Sequence, residues 1–335
     1  MNITICGGGN LGHVCAGFLS SNRENKVSLL TTKPQLWSKF IDVVDCNGKV
    51  FHGMLKEISC NPAEVIPNAE IVLICLPGFA IGDELGAISP YLNENCWVGS
   101  VVSSTGFFFE SFKHLSKQQP LFGFQRVPFI SRILNYGREA ELKGYKESLS
   151  VAIEQTNEKE KVRNILEGLF KTPVKLLSSH YEVSLSNSNP LLHTSRLYTL
   201  WHDWKPGITY ERNPGFYSEW TEETSDLYIT MDEEFQHLLK KLGLKDGCVP
   251  SVLDYYESKD AEALTQKIRN IPAFQNIASP MVRNKFGGYA PDFKSRYFTE
   301  DFSYGLKFIA EIARQKQLIL PNIENVYSWG VNLIN

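Results

Sequence analysis

Apolar and polar positions follow two different rhythms along this chain. In the first half, short continuous apolar runs stop at turns: residues 3–6 end at Gly7, 70–76 at Pro77-Gly78, and 96–102 at a Ser-Ser-Thr-Gly turn closing on Gly106. Runs of this length predict strands buried on both faces of a parallel sheet. Residues 26–31 and 149–153 read as further strands, with a weaker one at 121–124. Between the first two, Leu11, Val14, Cys15, Phe18 and Leu19 recur at steps of three and four, which predicts a helix against the sheet. A polar helix is expected from about Asn157 to before Pro173. This alternation predicts an α/β Rossmann domain over residues 1–180.

Past residue 180 the strand signals fade. Apolar residues recur at helical spacing over 191–201, 219–242, 261–268 and 302–312, so residues 181–335 are expected to form an all-α domain. No fixed-period repeat and no low-complexity linker separates the halves, so they are expected to pack closely around a cleft.

Composition narrows the class. A length of 335 residues suits two domains. The 43% hydrophobic and 21% charged content is that of a soluble globular chain and excludes disordered, collagen-like and coiled-coil proteins. The longest apolar runs fall far short of the roughly 18 residues that span a bilayer. A net charge of −3 offers no basic face to nucleic acid. Seven cysteines, an odd number without C-x-x-C spacing, argue against a zinc ribbon or a paired disulfide framework, and no metal site is expected. With no basic leader at the N-terminus, a reducing cytoplasm is the expected compartment. Aromatics make up 12% of the chain, and many cluster between Tyr198 and Trp220, as a substrate wall or as core packing.

The candidate chemistry begins in the turn after the first strand. Gly7, Gly9 and Gly12 satisfy G-x-G-x-x-G, with Asn10 and Leu11 opening the helix. Glycine there permits a tight turn and close backbone approach to a pyrophosphate, and the helix N-terminus offers free N–H groups to it. The strand, turn and helix around the motif make dinucleotide binding the expected role. The second strand ends Thr31-Thr32-Lys33, without the acid that holds a ribose 2′-hydroxyl in NAD sites. Thr hydroxyls and a Lys suit a 2′-phosphate, so NADP(H) is expected over NAD(H), which stays possible. Leu76 and Pro77, with Phe79 and the turn at 103–106, stand at strand ends where open α/β sheets bind ligands; Phe79 reads equally as core.

Three later stretches matter together. They are Gly123-Phe-Gln125-Arg126-Val-Pro128-Phe, Glu182-Val-Ser-Leu-Ser-Asn187-Ser-Asn189-Pro190-Leu-Leu-His193, and Arg296-Tyr297-Phe-Thr-Glu300-Asp301-Phe-Ser-Tyr304-Gly-Leu. In this order after a dinucleotide fold, they resemble the octopine/nopaline (opine) dehydrogenase family over nearly the whole chain. The family pattern carries Pro after the histidine, where this chain has Thr194. The resemblance implies reductive condensation of an α-keto acid with an amino acid through an imine, with hydride from NAD(P)H. It implies a proton-handling His193, a carboxylate partner at Asp301, a substrate-carboxylate contact at Arg296 and a keto-acid contact at Gln125. Asn189 is grouped with the substrate contacts and also reads as the cap of the helix that carries His193, with Pro190 its first residue. Glu300, adjacent to Asp301, remains an alternative partner. Small-molecule substrates are thus the expected partners, with a homodimer left open. The competing readings are a ketopantoate-reductase-like 2-keto acid reductase, whose family uses a lysine where His193 falls, and a nucleotide sensor without chemistry.

Overall fold

The computed structural model describes residues 1–285 and 287–334. The chain forms two compact units, Met1–Ser186 and Asn187–Asn335. The helix His180–Ser184 therefore belongs to the first unit, although the sequence rhythm changes at about 180. Glu154 explains why: its carboxylate takes the His180 backbone N–H at 2.9 Å and stands 3.1 Å from the ring Nδ1.

The first unit holds strands β1 (Asn2–Cys6), β2 (Lys26–Leu30), β3 (Phe40–Asp45), β4 (Val50–Met54), β5 (Glu57–Ser59), β6 (Ile71–Ile74), β7 (Trp97–Ser100), β8 (Leu121–Phe124), β9 (Phe129–Asn135), β10 (Glu139–Tyr145), β11 (Leu149–Glu154) and β12 (Val174–Leu176). Eight form one sheet in the order β12-β11-β8-β7-β6-β1-β2-β5. The chain moves from β1 outward to β2 on one side, then returns to place β6 on the other side of β1. Such a reversal opens a crevice at the carboxyl ends of the strands, and the glycine turn follows β1 there. Strand β6, IVLI, is buried at every position, as its β-branched run requires. The sheet is not wholly parallel, because β11 runs antiparallel to β8.

A second sheet, β4-β3-β10-β9, was not apparent in the apolar runs. Its strands alternate buried and exposed positions, as in Ile41, Val43 and Asp45 of β3. It covers the helix Asn10–Ser20 on the side away from the first sheet. Gly17 and Gly53 permit this contact: a Cβ on Gly17 would stand 2.4 Å from a Val43 methyl, and one on Gly53 would stand 2.8 Å from the Gly17 Cα. Val14, Cys15, Phe18 and Leu19 pack here with Ile41, Val43, Phe51 and Phe129 in one core. Cys6, Cys15, Cys46, Cys60, Cys75 and Cys96 are free thiols.

The second unit is mainly helical. Its long helix Glu222–Lys241 starts at Thr221, whose hydroxyl accepts the Thr224 N–H at 3.2 Å. Glutamates in its first turn and lysines in its last suit the helix dipole. The C-terminal helix Pro321–Ile334, which the periodicity did not single out, starts on proline; Glu234 takes its Asn322 and Ile323 N–H groups at 2.9 and 3.0 Å. The unit also carries a two-stranded ribbon, Met281–Arg283 with Tyr289–Pro291. The apolar stretch expected as one helix over 302–312 begins instead with a π turn, Phe302–Leu306, where the Leu306 N–H reaches the Asp301 carbonyl at 2.8 Å. An α-helix, Lys307–Gln315, follows. Among the described residues no helix is long and apolar enough to cross a membrane.

Candidate functional site

The glycine turn is shaped by contact with its own protein. Gly7 has φ +116°, which only glycine adopts without strain, and a Cβ there would stand 2.7 Å from the Cys75 carbonyl oxygen. A Cβ on Gly12 would lie 2.0 Å from the Gly7 oxygen, so helix and strand could not meet. At Gly9, by contrast, an added Cβ meets nothing within 4 Å. The protein closes around Gly7 and Gly12 but leaves the space at Gly9 open at the start of a helix, which fits the approach of a phosphate group.

Beside this turn lies a cleft of about 330 Å³. Gly7, Thr31, Thr32, Lys33 and Leu76 line it. Thr31 is buried and its hydroxyl is turned toward the backbone, 3.4 Å from the Lys33 N–H, while Thr32 and Lys33 are exposed. Asn10 instead accepts the Ile133 N–H at 2.9 Å, fastening the helix start to β9. Leu11 packs against the core. Pro77 caps the helix Gly78–Ile88, and Phe79 is exposed rather than core.

Sequence reasoning missed Cys60, Pro62, Glu84 and Tyr136 in this cleft. Tyr136 arrives from the turn between β9 and β10, and its hydroxyl would be 3.0 Å from a Cβ on Gly8. Burial holds the Glu84 carboxyl above the usual carboxylate range, opposed by its hydrogen bond with the Cys6 thiol. The missed His13 is fully buried between the glycine loop and the same turn, with its ring 4.0 Å from that of Trp37 and 4.8 Å from that of Tyr136. No local spacing marks these residues, since they converge through the second sheet and the sheet's edge.

In the second unit, the helix Asn189–Trp201 carries His193. Its cap is Ser188, one residue earlier than expected, and Pro190 takes the second position. His193 Nδ1 lies 2.7 Å from Asp301 Oδ2, across 108 residues of sequence. Its Nε2 lies 2.8 Å from the Tyr217 hydroxyl. An ionised carboxylate can only accept, so the partners assign the ring proton to Nδ1, and Nε2 accepts from Tyr217. Both dyad side chains are nearly buried, 11% and 13% exposed. The rings of Tyr297 and Phe216 stand 4.7 and 5.8 Å from the imidazole. Burial pushes the Tyr217 hydroxyl far above its ordinary range, with Tyr297, Tyr256 and Asp301 adding to the effect.

The two adjacent acids are divided between two partners. Glu300 forks the Arg296 guanidinium, with Nε–Oε1 at 2.8 Å and Nη2–Oε2 at 2.7 Å, and raises its pKa further. Neighbouring residues of a helical turn point about 100° apart, which leaves Asp301 for His193. The Arg296 side chain is 83% exposed. Asn189 is exposed, and Gln125 lies half-buried just past β8, its N–H on the Ser150 carbonyl.

The aromatic stretch is mostly core: Trp201, Phe216, Tyr217 and Trp220 are buried. Arginines fasten it. Arg196, buried and one helical turn after His193, donates from Nε to the Phe216 carbonyl at 3.0 Å and from Nη2 to the Glu219 carbonyl at 2.7 Å. Burial lowers its pKa to about 10. Arg269 donates to the Trp220 carbonyl at 2.6 Å. Arg212 forks Glu219 at 2.7 and 2.6 Å and, with the Gly215 N–H, brings that carboxyl down to about 2.

Comparison with known proteins gives a consistent result. Residues 176–334 match the family model described as NAD/NADP octopine/nopaline dehydrogenase, alpha-helical domain. A tauropine dehydrogenase of Arabella iricolor is 27% identical, the match covering 99% of this chain and 91% of that one. An opine dehydrogenase of Haliotis discus hannai is 24% identical, covering 98% and 89%. The solved structure of an octopine dehydrogenase with NADH and L-arginine superposes with a TM-score of 0.87 at 23% identity, covering 100% of this chain and 89% of that one.

Proposed function

The chain belongs to the opine dehydrogenase family, NAD(P)-dependent oxidoreductases acting on CH–NH bonds, and from that premise we propose that it condenses an α-keto acid with the amino group of an amino acid and reduces the resulting imine, its protons handled by His193 and Asp301. The observation that carries this reading is the 2.7 Å contact between His193 Nδ1 and Asp301 Oδ2 in a nearly water-free setting. Removing both groups from water is costly, and a histidine that merely caps a helix start has no need of it.

Each residue then has a task. Imidazole is the side chain that exchanges protons near neutrality. Asp301 fixes its tautomer and stabilises the imidazolium when Nε2 takes a proton. Arg296 offers a planar fork to the keto-acid carboxylate, a geometry Lys cannot copy. Glu300 holds that fork in the meantime, so substrate binding exchanges one carboxylate for another. Gln125 and Asn189 are further substrate contacts in this reading.

In the first unit, Gly7, Gly9, Gly12, Thr31, Thr32, Lys33, Leu76 and Pro77 would hold a nicotinamide dinucleotide, with Asn10 and Leu11 bracing the loop from below. When bound, that group supplies the hydride. Lys33 and the Thr32 hydroxyl favour a 2′-phosphate, hence NADP(H) over NAD(H). The enzyme is proposed to work in the cytoplasm.

The test is NADPH or NADH oxidation with pyruvate or oxaloacetate, with and without a panel of L-amino acids, and mass analysis for a secondary amine dicarboxylate. Amine-dependent oxidation with that product supports the proposal. Amine-independent oxidation would make the protein a 2-keto acid reductase, and tight cofactor binding without turnover would make it a sensor.

A further inference from the structure

We propose that Tyr217 is a proton relay between His193 and the substrate, so that the imidazole acts through a phenol rather than directly; this rests on the dehydrogenase reading above. Three observations point to it. The Tyr217 hydroxyl is 2.8 Å from Nε2, the nitrogen not used by Asp301, so neither ring nitrogen is free. The phenol is also held where it is. It is 4% exposed, with its ring stacked on Phe274 at 4.1 Å and 17° and on Trp220 at 6.3 Å and 12°. Arg196 and Arg269 secure the backbone carbonyls on either side of it. Freeing Nε2 by swinging Tyr217 away would break this built segment, whereas passing a proton through its oxygen breaks nothing. Finally, Tyr297 interacts with the Tyr217 hydroxyl and lies against the imidazole, and it is only half-buried, so the cluster around the phenol is less enclosed on that side.

The step balances as follows. The ammonium of the amino acid first gives a proton to the Tyr217 oxygen as the Tyr217 O–H proton passes to Nε2, which leaves a free amine and an imidazolium. The amine attacks the keto carbon, one of its N–H protons moves to the former carbonyl oxygen, and a carbinolamine results. The imidazolium Nε2–H proton passes to the Tyr217 oxygen as the Tyr217 O–H proton passes to the carbinolamine hydroxyl. The nitrogen lone pair forms the C=N bond, the C–O bond breaks, and water leaves. Tyr217 ends as a neutral phenol and His193 as a neutral imidazole. Because burial disfavours a tyrosinate, the two protons move together.

Tyr217→Phe removes the oxygen and keeps the ring. In amine-dependent NAD(P)H oxidation, kcat is expected to fall roughly 10- to 100-fold. KM for both substrates and the cofactor Kd should stay within about twofold, as for an interaction made only in the transition state. Rates in mixtures of light and heavy water should curve with deuterium fraction in the wild type, reporting two moving protons, and become linear in Tyr217→Phe. Monofluorotyrosine at 217, nearly the same shape, should restore turnover and curvature, which separates loss of the relay from loss of the fold. A kcat within about threefold of wild type in a folded Tyr217→Phe protein would overturn the relay. If the wild type shows no amine-dependent oxidation, the functional reading fails on its own. The relay is then judged by nitrogen NMR: the His193 Nε2 signal must move toward that of an unbonded lone pair in Tyr217→Phe, and an unmoved signal overturns it.

Discussion

The Gly137 N–H donates to Nε2 of His13 at 2.7 Å, and the same ring donates from Nδ1 to the Gly9 carbonyl at 2.9 Å. One buried imidazole thus ties the glycine loop to the turn that carries Tyr136. Accepting at Nε2 requires the neutral ring, and burial lowers its pKa from 6.5. Between that lowered value and 6.5 the unfolded chain binds the extra proton, so stability rises with pH in this window and is lost as pH falls through it. Melting curves from about pH 7 to 5 should show this loss. His13→Gln is expected to be less stable by about 1–3 kcal/mol near neutrality, because buried backbone groups lose their partner, but with a flatter pH dependence. An unchanged slope would remove His13 as its source.

Asp301 and Glu300 should separate cleanly in kinetics. Asp301→Asn can present an amide N–H to Nδ1 and so select the wrong tautomer, and kcat is expected to drop roughly 10²- to 10⁴-fold with little change in KM. Glu300→Gln should leave kcat nearly intact and lower the keto-acid KM by freeing the Arg296 fork. Arg296→Lys should raise that KM, with a stability change below about 1 kcal/mol, since the ion pair it breaks is exposed. Equal effects at 300 and 301 would contradict the assignment of partners.

Gly9 and Gly12 give a contrast that needs no knowledge of the substrate. Gly9→Ala meets no protein atom and keeps an ordinary φ of −84°, so its melting temperature should match wild type while dinucleotide affinity falls. Gly12→Ala forces its methyl onto the Gly7 carbonyl and should destabilise the first unit before any ligand is added. Titration calorimetry beside thermal melts decides this, and unchanged affinity in Gly9→Ala would move the phosphate elsewhere.

Cofactor choice is tested at the end of β2. Thr32→Asp and Lys33→Ala should each weaken NADPH binding more than NADH binding, by roughly tenfold where a charge-assisted contact is lost. Parallel losses for both cofactors would show that neither residue reads the 2′-phosphate.

The sequence was most legible where one physical rule dominated. Strands β1, β6 and β7 are buried on both faces, so continuous apolar runs marked them. The glycines were readable because their spacing answers to a single tight turn. The second sheet was harder, since half-buried strands such as β3 and β9 leave only a weak alternation. The choice between Glu300 and Asp301 depended on side-chain direction within one helical turn, which periodicity does not resolve. Arg196 was invisible beside the histidine, and Tyr217 was legible only as one of an aromatic cluster, because their partners are backbone carbonyls and a ring nitrogen, brought close only by tertiary packing.

The helix Asn10–Ser20 is covered on both flanks, with most of its residues buried. Its N-terminal partial charge faces open space at exposed Gly9 and Asn10, but the helix body behind it, from Gly12 on, lies in a poorly polarisable slab out of reach of dissolved ions. A helix at a protein's surface loses much of its pull on an anion as salt is added. This one should retain it, so dinucleotide affinity should fall only shallowly with ionic strength, and what remains of the salt effect should come from exposed Lys33.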